Sequence, residues 1–212
     1  MRMKTKAFTV LELMIAVGVI GFVVLVFLPA IVPHRRINSV RIRCVNNLKQ
    51  VGLAFRMWSD DNNNMYPMQY YTNQSGVLLF ADATNGFRYF QAMSNELSTP
   101  KILVCPADKR TAATNFLADF DNSHLSYVSG LDADPTMPTA LLTGDRNLTN
   151  GQPLVNGILY LQSNQNIGWT GEMHNGFGNV GVTDGSVQQF TINGLRNFVS
   201  HTGLATNRLL FP

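Results

Sequence analysis

Phe8-Thr9-Val10-Leu11-Glu12-Leu13-Met14-Ile15-Ala16-Val17-Gly18-Val19-Ile20-Gly21-Phe22-Val23-Val24-Leu25-Val26-Phe27-Leu28-Pro29-Ala30-Ile31-Val32 is the stretch from which the architecture follows. Among these 25 residues only Thr9 and Glu12 are polar. As a helix the run would be about 37 Å long, enough to cross a hydrocarbon layer of about 30 Å with some tilt. A helix buried in a soluble core rarely stays apolar on every face for this long. A cleavable secretory signal would have an apolar region of about 7–15 residues and a small-residue cut site after it. This run instead continues into Pro33-His34-Arg35-Arg36, as a retained membrane segment would. Glu12 stands out, because a carboxylate at bilayer depth costs about 2.5–3.5 kcal/mol on insertion scales and calls for a partner. Pro29 lacks the N–H that would bond the carbonyl of Leu25, so a kink is expected there.

Outside this segment the composition is that of a folded domain. Of 212 residues 14% are charged and 45% hydrophobic, which excludes a disordered or coiled-coil chain. The charge is unevenly divided. Residues 1–56 carry a net +8 and residues 57–212 a net −5. The basic groups therefore do not coat the domain, and a nucleic-acid partner is not expected. After the apolar run, Ile37, Val40, Cys44, Leu48, Val51, Phe55 and Trp58 recur at helical spacing, which predicts an amphipathic arm with one buried stripe. Arg41, Arg43, Lys49 and Arg56 lie on other faces, where solvation or lipid headgroups would suit them. The run Asp60-Asp61-Asn62-Asn63-Asn64 should stop the arm, and Pro67 should keep it from resuming.

Lys4-Thr5-Lys6-Ala7-Phe8-Thr9-Val10-Leu11-Glu12 resembles the type IV prepilin signature. The resemblance implies removal of a basic leader by a membrane aspartic peptidase between Ala7 and Phe8, then N-methylation of Phe8. That family usually has Gly where this chain has Ala7. Glu12 would be the assembly carboxylate, pairing with the terminal amine of a neighbouring subunit, so that two charges costly in lipid offset each other. A proline at the depth of Pro29 is also common in that family. Two further stretches, Cys44-Val45-Asn46-Asn47-Leu48-Lys49-Gln50-Val51-Gly52-Leu53-Ala54 and Val104-Cys105-Pro106-Ala107-Asp108, are similar to a prepilin-like subgroup of the type II secretion kind. So is the H-x9-DG element formed by His174, Asp184 and Gly185. The count of basic residues, three before the segment and five soon after it, taken alone puts the C-terminal side in the cytoplasm. The resemblance implies the reverse, with the head outside, because the leader must meet a peptidase on the cytoplasmic side.

The implied organisation is a leader at 1–7, a transmembrane helix at 8–33, an arm helix at 34–59 and an extracytoplasmic head at 60–212. The expected fold is α+β, a long N-terminal helix packed on a small antiparallel sheet. Strands are expected at 77–80, 125–129, 140–143, 157–161, 179–183 and 187–191, the last two joined by the Asp184-Gly185 turn. Helices are expected at 86–97 and 194–201. In an oxidising compartment Cys44 and Cys105 could pair and staple arm to head, and two buried free thiols are the alternative.

His174 and Asp184 carry three readings: structural, metal-binding and catalytic. No G-x-S-x-G or HExxH element accompanies them, so catalysis is not expected and the protein reads as a non-enzyme. Calcium is the metal that the secretion pseudopilins suggest, with Asp132, Asp134 and Asp184 as its oxygen-bearing candidates. None of their loops follows the EF-hand pattern, and no other cofactor is expected. The implied function is that of a structural subunit of a type II secretion pseudopilus, with a type IV pilus component as the alternative. Its partners would be copies of itself, other pilin-like subunits, the prepilin peptidase, an inner-membrane assembly platform and the bilayer. Its place would be the bacterial inner membrane, with the head periplasmic. A membrane-anchored extracytoplasmic binding or hydrolytic domain is the reading from another class.

Overall fold

A computed structural model describes residues 9–71 and 79–212, the side chains of residues 28–38 excepted. The chain divides into two compact units, Met1–Val40 and Arg41–Pro212. Helix α1 spans Val10–Asp61. Its window Val10–Phe27 is long and apolar enough to cross a membrane, and none of it is buried. The backbone is helical at Pro29, whose side chain lies outside the described part.

Within the second unit α1 buries the stripe its periodicity predicts: Cys44, Leu48, Val51, Phe55 and Trp58 are all buried. The ring of Phe55 meets Tyr66 and Phe90 edge-on at 5.8 and 5.9 Å. The asparagine run ends the helix by a specific device. Asn63 and Asn64 take φ of 57° and 55°, a left-handed conformation that Asn tolerates better than most residues. The Asn64 N–H then reaches back to the Ser59 carbonyl at 2.9 Å, as in a Schellman cap. Pro67 does more than block the helix, for it opens the short helix α2, Pro67–Tyr70, where its missing N–H is no loss.

The helix expected at 86–97 is broken at Met93 into α3, Phe87–Ala92, and α4, Ser94–Leu97. Single 3₁₀ turns follow at Pro100–Leu103 and Asn122–His124. The strand expected at 77–80 is not seen: residues 77 and 78 lie outside the described part, and Leu79 and Phe80 form a turn with Phe80 at φ 62°.

The remaining strands are β1 (Tyr127–Gly130), β2 (Leu141–Asp145), β3 (Leu148–Thr149), β4 (Ile158–Leu161), β5 (Gly168–Trp169), β6 (Gly178–Val182), β7 (Val187–Phe190) and β8 (Asn207–Leu210). Helix α5, Ile192–Ser200, precedes β8, and the Thr191 side chain caps it through the Gly194 N–H at 3.1 Å. Six strands form one antiparallel sheet in the order β4-β8-β1-β2-β6-β7, and β3 and β5 pair separately. The sequence reading did not anticipate β8, which lies between β4 and β1.

Residue parity divides the sheet's two faces. Val128 and Val180, with Gly144 between them in register, turn to the core shared with Leu195 and Val199 of α5. Tyr127, Asp145 and Asn179 form a row on the opposite face. Gly178 must be glycine, because a Cβ there would lie 2.1 Å from the Trp169 ring.

Candidate functional site

The polar row on β1, β2 and β6 meets the disulfide and the H-x9-DG element. Cys44 and Cys105 are joined, with their Cα atoms 5.0 Å apart. The Asn47 side chain of the same helix donates to the Val104 carbonyl at 3.1 Å, fixing the strand-like entry into Cys105.

His174 starts a run of three left-handed residues, with φ of 52°, 50° and 80° at His174, Asn175 and Gly176. Asn147 holds this loop shut. Its amide Nδ2 lies within hydrogen-bond reach of three carbonyls, those of Thr170, Met173 and Phe177, at 3.2, 3.0 and 3.0 Å. The turn drives the imidazole inward. His174 Nε2 lies 3.3 Å from Cys105 Sγ and 3.4 Å from both Asn179 Nδ2 and Asp145 Oδ2. Burial, and then the charge of Arg41, lower the pKa of His174, so the ring is neutral at neutral pH.

Asp184 marks the other end of β6. Thr183, Asp184 and Gly185 form a three-residue loop, closed by bonds between Val182 and Ser186 and between Gly185 and Val182, both at 2.9 Å. Gly185 sits at φ 88°, so the turn is the three-residue type with a left-handed glycine rather than a two-residue one. Asp184 Oδ1 accepts from the Ser186 N–H at 2.8 Å, and the Asp184 carbonyl accepts from Arg56 Nη1 at 3.1 Å. Arg41 lies over the Phe177 ring, 5.1 Å from its centroid. Two arm bases expected to be solvated are therefore engaged by the head.

The element is tied to the arm helix near both ends: His174 touches the disulfide that includes Cys44, and Arg56 holds the Asp184 turn.

Asp145 is the most perturbed acid. Its side chain is fully buried, its Oδ2 accepts from the Asn179 backbone N–H at 2.7 Å and side chain at 2.8 Å, and its Oδ1 has no hydrogen-bond partner. Burial outweighs those two donors and pushes its pKa up to about 7. Between about pH 4 and 7 the folded chain thus keeps a proton that the unfolded chain has released, and stability falls as pH rises through that window. The lowered His174 pKa acts with the opposite sign below its ordinary value. Asp145→Asn should remove the Asp145 contribution, on the order of a few kcal/mol across the window. Urea midpoints of the detergent-solubilised chain at pH 4.5 and 7.5 check this. Parallel wild-type and variant profiles would mean that Asp145 is ionised throughout.

Asp108 is the opposite case. Burial alone would raise its pKa, but Arg146 donates two hydrogen bonds, Nε to Oδ2 at 2.7 Å and Nη2 to Oδ1 at 2.8 Å, and holds it down at about 2.

The three calcium candidates do not converge. Asp132 is paired with Arg208, Asp134 accepts from Thr136 and Gln69, and Asp184 serves its own turn. Among the described residues the group whose donor atoms do come together is Cys44, Cys105 and His174. Ala7 and Phe8 lie outside the described residues. Glu12 is close to Thr9: its Oε2 accepts from the Thr9 N–H and hydroxyl at 3.0 Å each, and the Glu12 N–H donates back to Thr9 Oγ1 at 3.3 Å. This is a capping box at the start of α1, and its T-x-x-E signature is visible in the sequence. No family model, curated protein or solved structure matches this chain.

Proposed function

We propose that the chain is a pilin-like structural subunit, processed after Ala7 and stacked through its apolar helix into a helical filament of the secretion-pseudopilus kind. The observation that carries this reading is the Val10–Phe27 helix, apolar but for Glu12 in its first turn and wholly uncovered. Such a surface has to be taken up by lipid, by copies of itself, or by each in turn. A head-to-tail contact that does not close produces a growing fibre. A type IV pilus component would share every one of these features.

The mature N-terminus of the membrane-extracted protein is the first test, by mass spectrometry. A chain that starts at methylated Phe8 supports the proposal. An intact Met1 supports a fixed anchor carrying an extracytoplasmic binding or hydrolytic domain, and a start beyond about residue 30 would mean a freely secreted domain.

The capping box sharpens the second test. Glu12→Ala is expected to abolish filaments while the head stays folded. Thr9→Ala removes the cap but keeps the carboxylate, so it should still assemble. Equal loss in both variants would reduce Glu12 to a helix cap, and normal assembly of Glu12→Ala would end the pairing mechanism.

A further inference from the structure

The sulfurs of Cys44 and Cys105 and a ring nitrogen of His174 all lie within 4.8 Å of one another, and all three residues are buried. They come from the arm helix, the segment before the sheet and the loop before β6, so no spacing pattern announces them. Two thiolates and an imidazole are a donor set for a borderline-soft cation rather than for calcium or magnesium. The distances suit a tetrahedral centre. With Zn–S near 2.3 Å and Zn–N near 2.0–2.1 Å, neighbouring sulfur and nitrogen ligands stand about 3.6 Å apart and two sulfurs about 3.8 Å. His174 Nε2 is already 3.3 Å from Cys105 Sγ. Once the S–S bond is broken the sulfurs need only part to non-bonded contact.

A second observation points to the same place. The fully buried Asp145 carboxylate has an oxygen 3.4 Å from His174 Nε2, close to the nitrogen–oxygen edge of about 3.3 Å in such a centre. Its other oxygen has no hydrogen-bond partner.

We infer that the dithiol form of this head binds one zinc-type divalent cation through Cys44, Cys105 and His174, with Asp145 beside the fourth position. Disulfide and metal are then alternative staples between the arm and the head. The dithiol state exists on a chain not yet oxidised, or after exchange with an external dithiol, which becomes a disulfide as Cys44 and Cys105 take up two electrons and two protons. On metal binding the two S–H bonds give their protons to the buffer and two metal–sulfur bonds form. This site is independent of filament assembly and stands or falls separately.

The test uses the full chain in detergent, reduced with a trialkylphosphine. Phosphorus takes the oxygen of one water, and the two sulfurs take its hydrogens. After anaerobic removal of the reagent, Co²⁺ is titrated as the probe. One equivalent should bring up a thiolate-to-cobalt charge-transfer band and the intense visible bands of four-coordinate cobalt, and zinc should displace both. The oxidised chain and the Cys44→Ala/Cys105→Ala variant should show neither.

His174→Asn keeps a residue that accepts the left-handed backbone, and it should weaken cobalt binding at least about tenfold and shift the visible bands. Absence of the charge-transfer band in the reduced chain overturns the inference. So does an unchanged affinity and spectrum in His174→Asn, or a stoichiometry of two chains per metal. Should His174→Asn fail to fold, X-ray absorption of the zinc-loaded wild-type chain decides. Two sulfurs near 2.3 Å with nitrogen or oxygen near 2.0–2.1 Å support the site, and an all-sulfur or all-nitrogen/oxygen shell overturns it.

Discussion

Replacing both cysteines of the Cys44–Cys105 bridge by alanine is expected to cost the head about 4 kcal/mol, from the loop entropy that a 61-residue separation restores to the unfolded chain. Alanine is chosen over serine because both positions are fully buried and a hydroxyl there would need a partner. Urea unfolding of wild type and variant, with midpoint and slope compared, gives the difference. The slope should change as well, because the unlinked denatured chain is more expanded. A loss under about 1 kcal/mol would assign the arm–head attachment to the apolar stripe of Leu48, Val51, Phe55 and Trp58. The bridge would then be a secondary fastening rather than the main one.

The second large effect is expected at Arg146. Its guanidinium grips Asp108 with two hydrogen bonds, and the Asp108 side chain is only 1% exposed. Arg146→Leu strips that buried carboxylate of its hydrogen-bonded counter-charge, for which about 3–5 kcal/mol is the usual loss. Glu172, which Arg146 also contacts at 2.9 Å, is 61% exposed, so Glu172→Ala should move stability by less than about 0.5 kcal/mol.

The pH dependence distinguishes the mechanism from simple loss of packing. In wild type the depressed Asp108 pKa contributes stability that is full above the ordinary aspartate range and is lost as pH falls from about 4 through about 2. In Arg146→Leu the main influence that opposes burial is gone while the Lys109 N–H still donates to Asp108 Oδ1 at 2.7 Å, so this acid limb should shrink. Asp108→Asn/Arg146→Leu should recover part of the single-variant loss. A double variant no more stable than Arg146→Leu would mean that the stranded charge is not the cause.

Much of the architecture is local and could be read without coordinates. The apolar run needs no partner to be recognised, because its length and composition alone mark a helix able to cross a membrane. The arm stripe follows from a 3.6-residue period, and its buried members are the ones that period selects. The sheet strands at 125–129, 140–143, 157–161, 179–183 and 187–191 were placed to within two residues, because alternation and turn residues bound them. The Asp184-Gly185 turn was legible for the same reason, although its three-residue form depends on how β6 and β7 come into register.

What could not be read depends on residues far apart in the chain. β8 is four residues near the C-terminus, and it becomes an interior strand only because β1 and β4 leave a place between them. The helix at 86–97 follows its period, yet it breaks at Met93. The electrostatics are also non-local: neither the ordinary-looking Asp145 nor Arg146 shows in sequence that one acid will sit near pKa 7 and another near 2.

The same division separates the two ends of the molecule's chemistry. Glu12 and its cap lie within one helical turn, so their contact is fixed by a spacing of three residues. Cys44, Cys105 and His174 are brought together by a helix, a loop and a left-handed turn that Asn147 holds from a fourth segment. Local periodicity determines which surfaces must be covered, because it needs only neighbours in sequence. Which buried groups meet is decided by packing, because the energy of each such contact exists only after the loops between its partners have closed.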